Sequence, residues 1–558
     1  MLCENAAQSN DYFEFIGEYS GVLDYVKEEF NTECITVIDQ RFAIAYVKKN
    51  GRTSIYGQNY PYNTIPRCFG LMDTQMLEDV GVAQVRRSTL DLYGNGVLVG
   101  MIDTGIDYEH PAFRYEDGSS KIYSLWDQTI EGDPEDTFLG YGTEYTKEQI
   151  EEALKSDVPQ QKVPSKDESG HGTFLAGLIA GNEDNETGFS GIAPNAGLIV
   201  VKLRKAKDYL KEYYCIDPKY EAYAETDIML AVHYIDHIAE QLQRPIVIFL
   251  GIGTNLASHL GTGPLDQYLS GRAMLRGVAV VTSAGNEGQA RHHYSGQVSQ
   301  NDAKVEVKVG ESEYGFTMEL WGLAPNRYYV DIESPSGQKT GRIQGGLSGQ
   351  RYVTFLLEKT RLIVEYFTVD TSAGAPVIVM RFQNPAPGIW NIYVSDDGVG
   401  NREFDLWLPI TNFISEDTFF LESTPYNTLA APSNTGLLIS CGSYNSSTGS
   451  LAIDSSRGFP RNAVKPDFTA PGVEILGPLP RKRYGRKSGT SVSGAITAGI
   501  AALMLEWGIM QKNDMQINTT RIKNYLIRGA RRDPERIYPN REWGYGQVDL
   551  YETFLGIR

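Results

Sequence analysis

Cysteine is scarce in this chain. Its 558 residues hold five, Cys3, Cys34, Cys68, Cys215 and Cys441, each standing alone. An odd count without a Cys-x-x-Cys pair gives no support for a disulfide framework or a zinc site, and it suits a reducing compartment. The N-terminus, "MLCENAAQSNDYFEF", lacks both a basic stretch and an apolar run, so no secretory signal is read there. The expectation is synthesis in the cytoplasm. No uninterrupted apolar run reaches the length that a bilayer demands. Positive charge is in deficit: 51 Lys and Arg face 70 Asp and Glu, a net charge of −19. That balance argues against a general binder of nucleic acid or acidic membranes. One run goes the other way. "RKRYGRK", Arg481 to Lys487, reads as a solvated loop, close enough to Ser488 to touch a ligand.

What the chain does have is length for two or three domains, with 41% hydrophobic and 22% charged residues, a globular balance. Residues 1–75 read as a small α+β unit, with helical spacing in "GVLDYVKEEF" and strands in "CITVID" and "FAIAYVKK". "GQNYPYNTIPRCFG" reads as a linker. Over 76–300 apolar strands alternate with helices: "GVLVGMIDTGID", "GLIVVKL", "PIVIFLGIG" and "GVAVVTSAGNEG" as strands, Thr226 to Gln241 and Tyr268 to Arg276 as helices. That alternation predicts an α/β fold, a doubly wound parallel sheet with helices on both faces. Over 301–412 the pattern changes to short alternating stretches between turns, the mark of an inserted antiparallel β-sandwich or jelly roll. Strand and helix alternation returns over 413–558.

Four tight turns carry the chemistry. Asp103 ends a buried strand, and ligands of doubly wound sheets bind at that edge. His171 stands between two glycines at the start of an apolar helix in "DESGHGTFLAGLIAG". Asn286 ends a strand in "TSAGNEG". Ser491 opens the long apolar helix of "SGTSVSGAITAGIAALML". Singly, each suits a turn or a cap. Together they supply an orienting carboxylate, a base, an oxyanion donor and a nucleophile. A serine hydroxyl needs an imidazole to take its proton, and the imidazole needs a carboxylate to fix its tautomer.

On these motifs, and on "GFSGIAPNAGLIVVK" and "KPDFTAPGVEILGP", the sequence resembles the subtilisin-like serine proteases, whose triad runs Asp, His, Ser. The resemblance covers about Val80 to Gln300 and Phe413 to Arg558. It implies that Asp103 orients, His171 is base and then acid, and Ser491 attacks. Asn286 and the Ser491 N–H would hold the oxyanion. The N-terminal unit, the long insert between Asp103 and His171, and the β-rich insertion after Asn286 are further similar to the Csp germination proteases of clostridial spores. That likeness implies a prodomain cut by the enzyme itself, between Pro61 and Gln84, which stays bound. It also implies activation of the zymogen of a cortex-lytic hydrolase, and deposition in the spore. A protein or peptide substrate is then the expected partner, with no cofactor and no metal.

The departures are local. Val492, Ser493, Gly494 and Ala495 follow the nucleophile where the family has Met, a small pair and Pro. Phe174 stands at the family's second His. The calcium ligand of the family falls at Ala112, and "NEDNETG", Asn182 to Gly188, reads as a solvated acidic turn. For the first specificity pocket the expected residues are Leu250, Gly251, Ala284 and Gly285, leaving charge selection to Glu287 or to the inserted loops. Two other readings stay open: a pseudoprotease acting as a binding or signalling partner, and an intracellular subtilase of broad specificity.

Overall fold

The computed structural model describes residues 6–19, 22–52, 54–55, 60–71, 80–184, 186–343, 348–370 and 372–557. Six parallel strands form its centre, in the order Ile439–Asn445, Val278–Ser283, Ile246–Leu250, Leu98–Asp103, Gly197–Lys202, Ile122–Asp127. Their side chains alternate between two apolar layers, as strands covered on both faces must. Val99, Met101, Val247, Phe249 and Val281 meet the helices His171–Ala180 and Thr490–Leu505. Leu98, Ile102, Ile248 and Leu250 meet Glu225–Leu242 and Pro264–Ala273 on the other side. The latter helix was expected to begin at Tyr268; Pro264 starts it a turn earlier, at a position where Pro costs no hydrogen bond. Helix Thr490–Leu505 is buried at all 16 positions. By length and composition Thr490–Met510 would pass for a membrane span, contrary to the sequence reading, yet 89% of its apolar window lies inside the fold.

Near the N-terminus, Tyr12–Glu18, Phe42–Lys48 and Ile35–Val37 form an antiparallel sheet backed by helix Asp24–Phe30. Phe13 and Phe15 share a cluster with Val26 and Phe30, while Ile16, Ile44 and Tyr46 join the layer that contains Ile228 and Tyr268. Two antiparallel sheets, of six and four strands, run between His293 and Phe420 and enclose Val305, Met318, Trp390 and Phe404.

Three local readings need correction. The end of the expected linker, Cys68–Leu71, is a strand. The basic run is a strand too: Arg483–Lys487 pairs with Ile475–Leu479 as a hairpin. Cys34 is disulfide-bonded, which the scattered cysteines did not suggest.

Alternation along Tyr12–Glu18 turns Glu14 away from the phenylalanines, to the same side as Ile16. Its carboxylate is buried against Arg204 at 2.6 Å and Lys207 at 2.7 Å, and accepts the Thr226 hydroxyl at 2.7 Å. Arg204 Nε also reaches Asp227 at 3.0 Å. Burial raises the Glu14 pKa, but the neighbouring Lys207 and Arg204 charges outweigh it and hold the carboxyl at about 2. Burial pulls Lys207 down to about 8 against the attraction of Glu14, so Arg204 is the firmer cation of the two. Such a cluster contributes little net stability, but losing one partner is costly because it strands buried charge. Glu14→Ala should therefore cost about 3–5 kcal/mol in urea unfolding, against under about 0.5 kcal/mol for the exposed control Glu18→Ala. Because its folded pKa is depressed, the Glu14 contribution is present above the ordinary carboxylate range. It is lost as pH falls through that range towards about 2, so the gap between wild type and Glu14→Ala should close in acid.

Candidate active site

The site sits at the carboxyl edge of the parallel sheet. Strand Leu98–Asp103 ends in a turn whose Gly105 carbonyl lies directly beneath the start of helix His171–Ala180. A Cβ on Gly172 would lie 2.1 Å from that oxygen, so only glycine permits the approach. The helix start is held by Asp167, which the sequence reading passed over. Its carboxylate accepts the Gly170 N–H, the Thr173 N–H and the Thr104 hydroxyl, each at 2.8 Å. The Thr104 hydroxyl in turn accepts the Gly172 N–H at 3.0 Å. An Asp a few residues ahead of an apolar helix is a capping signal, and that is how it could have been found.

This packing brings His171 Nδ1 to 2.8 Å and 3.0 Å from the two oxygens of Asp103. Asp103 also accepts its neighbour's Thr104 N–H at 2.8 Å. On the other side of the ring, His171 Nε2 lies 3.4 Å from Ser491 Oγ. All three side chains are buried. Ser491 stands in the first turn of its helix, where N–H groups lack intrahelical partners. Asn286 Oδ1 accepts the Thr490 N–H at 2.9 Å and the Thr490 hydroxyl at 3.0 Å. That hydroxyl accepts the Gly285 N–H at 3.0 Å. With its oxygen so engaged, Asn286 presents its NH2 group to the cleft it lines. Together these groups can deprotonate a hydroxyl, hold the resulting imidazolium beside a carboxylate, and donate hydrogen bonds to a new oxyanion.

The cleft encloses about 490 Å³. His171, Asn286, Gly253 and Ala430 line it, with Ser169 and Lys487 beside the histidine. The segment Ile410, Thr411 and Asn412, where the chain returns from the antiparallel sheets, supplies a wall. The expected pocket residues need revision. Leu250 points into the opposite apolar layer, because strand alternation turns it away from the helix that carries Ser491. Ala284 and Gly285 are buried behind the cleft, packed on Ala430: the Ala284 carbonyl accepts the Ala430 N–H at 3.0 Å. Gly251 abuts the triad, where an added Cβ would stand 3.4 Å from Asp103 Oδ2. Glu287 does line the cleft, but its carboxylate is already engaged. It binds His292 Nδ1 at 2.7 Å and accepts the N–H and hydroxyl of Thr411, each at 3.0 Å. It thus ties the Asn286 turn to the returning segment.

Calcium does not fit the position where the resemblance would put it. Ala112 offers only its carbonyl, which accepts the Asn182 N–H at 2.9 Å. Asp184 closes its own turn through the Glu186 and Thr187 N–H groups.

Another stretch of the chain lies in this cleft. Strand Cys68–Leu71 pairs antiparallel with Ile252–Gly253 on one side, Leu71 opposite Ile252 and Gly70 opposite Gly253. On the other it pairs with Tyr223–Ala224.

A buried Asp–His–Ser chain at the carboxyl edge of a doubly wound sheet, with an amide beside the serine, is the arrangement of a subtilisin-like serine endopeptidase. Comparison with known families agrees: the subtilase model matches residues 94–310 and 399–546, and the chain belongs to that family. Its fold is similar to that of the Clostridium perfringens CspB protease, 30% identical, with a TM-score of 0.76 over 85% of this chain and 97% of that one. Among curated relatives, the C5a peptidase of Streptococcus pyogenes serotype M1 is 23% identical over 82% of this chain and 39% of its own length. The minor extracellular protease Vpr of Bacillus subtilis is 23% identical over 76% of this chain and 48% of its own. The chain therefore spans about two-fifths to one-half of these curated relatives.

Glu287→Ala leaves the His292 Nδ1 and Thr411 donors without their acceptor, a loss of about 1–3 kcal/mol. The expected result is a lower midpoint of thermal unfolding, with Glu287→Gln falling between the variant and wild type.

Proposed function

We propose that the chain is a serine endopeptidase that first cuts itself beyond Leu71 and then cleaves another protein. In this reading Ser491 attacks the scissile carbonyl as His171 takes its proton, Asp103 stabilises the imidazolium, and His171 returns the proton to the leaving amine. The oxyanion is held by Asn286 and the Ser491 N–H. Water then releases the acyl-enzyme by the same route.

The observation that carries the reading is the strand Cys68–Leu71. It occupies the cleft as an extended peptide substrate would, gaining affinity from main-chain hydrogen bonds on both sides. Its direction leads from Gly253 past Ile252 towards Gly251, which borders Asp103. The first bond cut is therefore assigned to residues 72–79, inside the range expected from sequence. Retention of the cut unit is supported by the buried Glu14–Arg204–Lys207 cluster and by the apolar layer it shares with the core. The likeness to CspB supports a downstream substrate of the kind implied above, the zymogen of a cortex-lytic hydrolase in a spore.

Intact-mass analysis of the purified protein beside Ser491→Ala tests this. The wild type should appear as two fragments, the smaller ending between residues 72 and 79, and the variant as one uncut chain. A whole wild-type chain, or identical cutting in both, would refute self-processing.

A further inference from the structure

The basic run Arg481–Lys487 finds no role in the triad or in the core. It forms the turn and second strand of the hairpin Ile475–Leu479 with Arg483–Lys487. The hairpin packs on the helix that carries His171: an added Cβ on Gly170 would stand 2.7 Å from Pro480 and one on Gly177 1.9 Å from Pro478. Arg481, Lys482, Arg483 and Arg486 are exposed. Their side-chain hydrogen bonds reach backbone only: Arg483 Nε donates to the Pro480 carbonyl at 3.2 Å, and Arg486 to the Glu474 carbonyl at 2.7 Å, while the Arg481 backbone N–H donates to Asp107 Oδ2 at 2.7 Å. Lys487, over the Phe174 ring at 5.8 Å, lines the cleft beside Ser169 and His171. None of these five cations forms an ion pair among the described residues. In a chain of net charge −19, a row of cations without ion-pair partners among the described residues, ending at Lys487 in the cleft, is a local field of opposite sign.

The position of the row gives it a side. Strand Cys68–Leu71 takes up the part of the cleft that receives residues before the scissile bond. The same cleft is lined by Ser169, His171 and Lys487, none of which pairs with that strand. The sequence that follows Leu71 is "MDTQMLED": Asp73, Glu78 and Asp79, with no Lys or Arg. Wherever the chain is cut between Leu71 and Glu78, Glu78 and Asp79 fall on the leaving side. Two acids also line the cleft, Asp454 and Glu287, the latter with its carboxylate held by His292 and Thr411.

We propose that the hairpin Ile475–Lys487 is a binding surface for an acidic peptide segment on the C-terminal side of the scissile bond, occupied first by the residues up to Asp79 that follow this chain's own cut. The proposal rests on the endopeptidase reading above. Exposed charges of this kind act on selection and on rate, and salt screens them.

A charge swap within the full chain tests it. Arg481→Glu, Lys482→Glu and Arg483→Glu together should slow self-cleavage, followed by intact mass at low salt, by about tenfold, and raised salt should shrink the gap. Adding Asp73→Lys, Glu78→Lys and Asp79→Lys to the same chain should restore the rate to within about threefold of wild type. Cleavage at the wild-type rate in the reversed hairpin, or slow cleavage that the second set does not rescue, would overturn the assignment. In both cases wild-type cutting leaves the endopeptidase reading intact. A wild-type chain that never cuts itself would remove that reading and this surface with it.

Discussion

Ser491 is placed by a helix that has no solvent face. All 16 residues of Thr490–Leu505 are buried, so the helix cannot turn or slide without opening the core. Its first turn is pinned further by the Thr490–Asn286 and Thr490–Gly285 hydrogen bonds. The histidine is set against the same core by the Gly172–Gly105 contact and the Asp167 cap. Asp103 ends the strand between them. The three reactive groups inherit their geometry from hydrophobic packing that the fold needs in any case, so little has to be reorganised when chemistry begins.

Two appended units converge on this core. The N-terminal sheet meets the core through an apolar layer and through Glu14, whose buried ion cluster adds little net stability while it is intact. The antiparallel sheets return through Ile410–Asn412, which walls the cleft and is tied by Glu287 to the turn bearing Asn286.

The reactive residues were legible because each lies in a short pattern whose glycines are demanded locally: Gly172 has no room for a side chain, and Gly170 takes a φ of 72°. The parallel sheet was legible from its apolar runs. What escaped depends on contacts distant in sequence. Glu14 meets Arg204 across 190 residues. Strand Cys68–Leu71 exists only because two edges of the cleft pair with it, and its Pro- and Gly-rich approach hides it. The pocket guess at Leu250 failed on the phase of alternation, which a single strand does not declare. In the basic hairpin, Arg481 and Lys482 hold φ of 67° and 57° without any glycine to announce the turn.

The most direct measurement is where a fluorophosphonate attaches to the full-length protein. The Asp103–His171–Ser491 geometry predicts one adduct, on Ser491, abolished in Ser491→Ala and slowed by at least about a hundredfold in His171→Ala. A protein left unlabelled at Ser491, or labelled as fast without His171, would contradict a working nucleophile at this site.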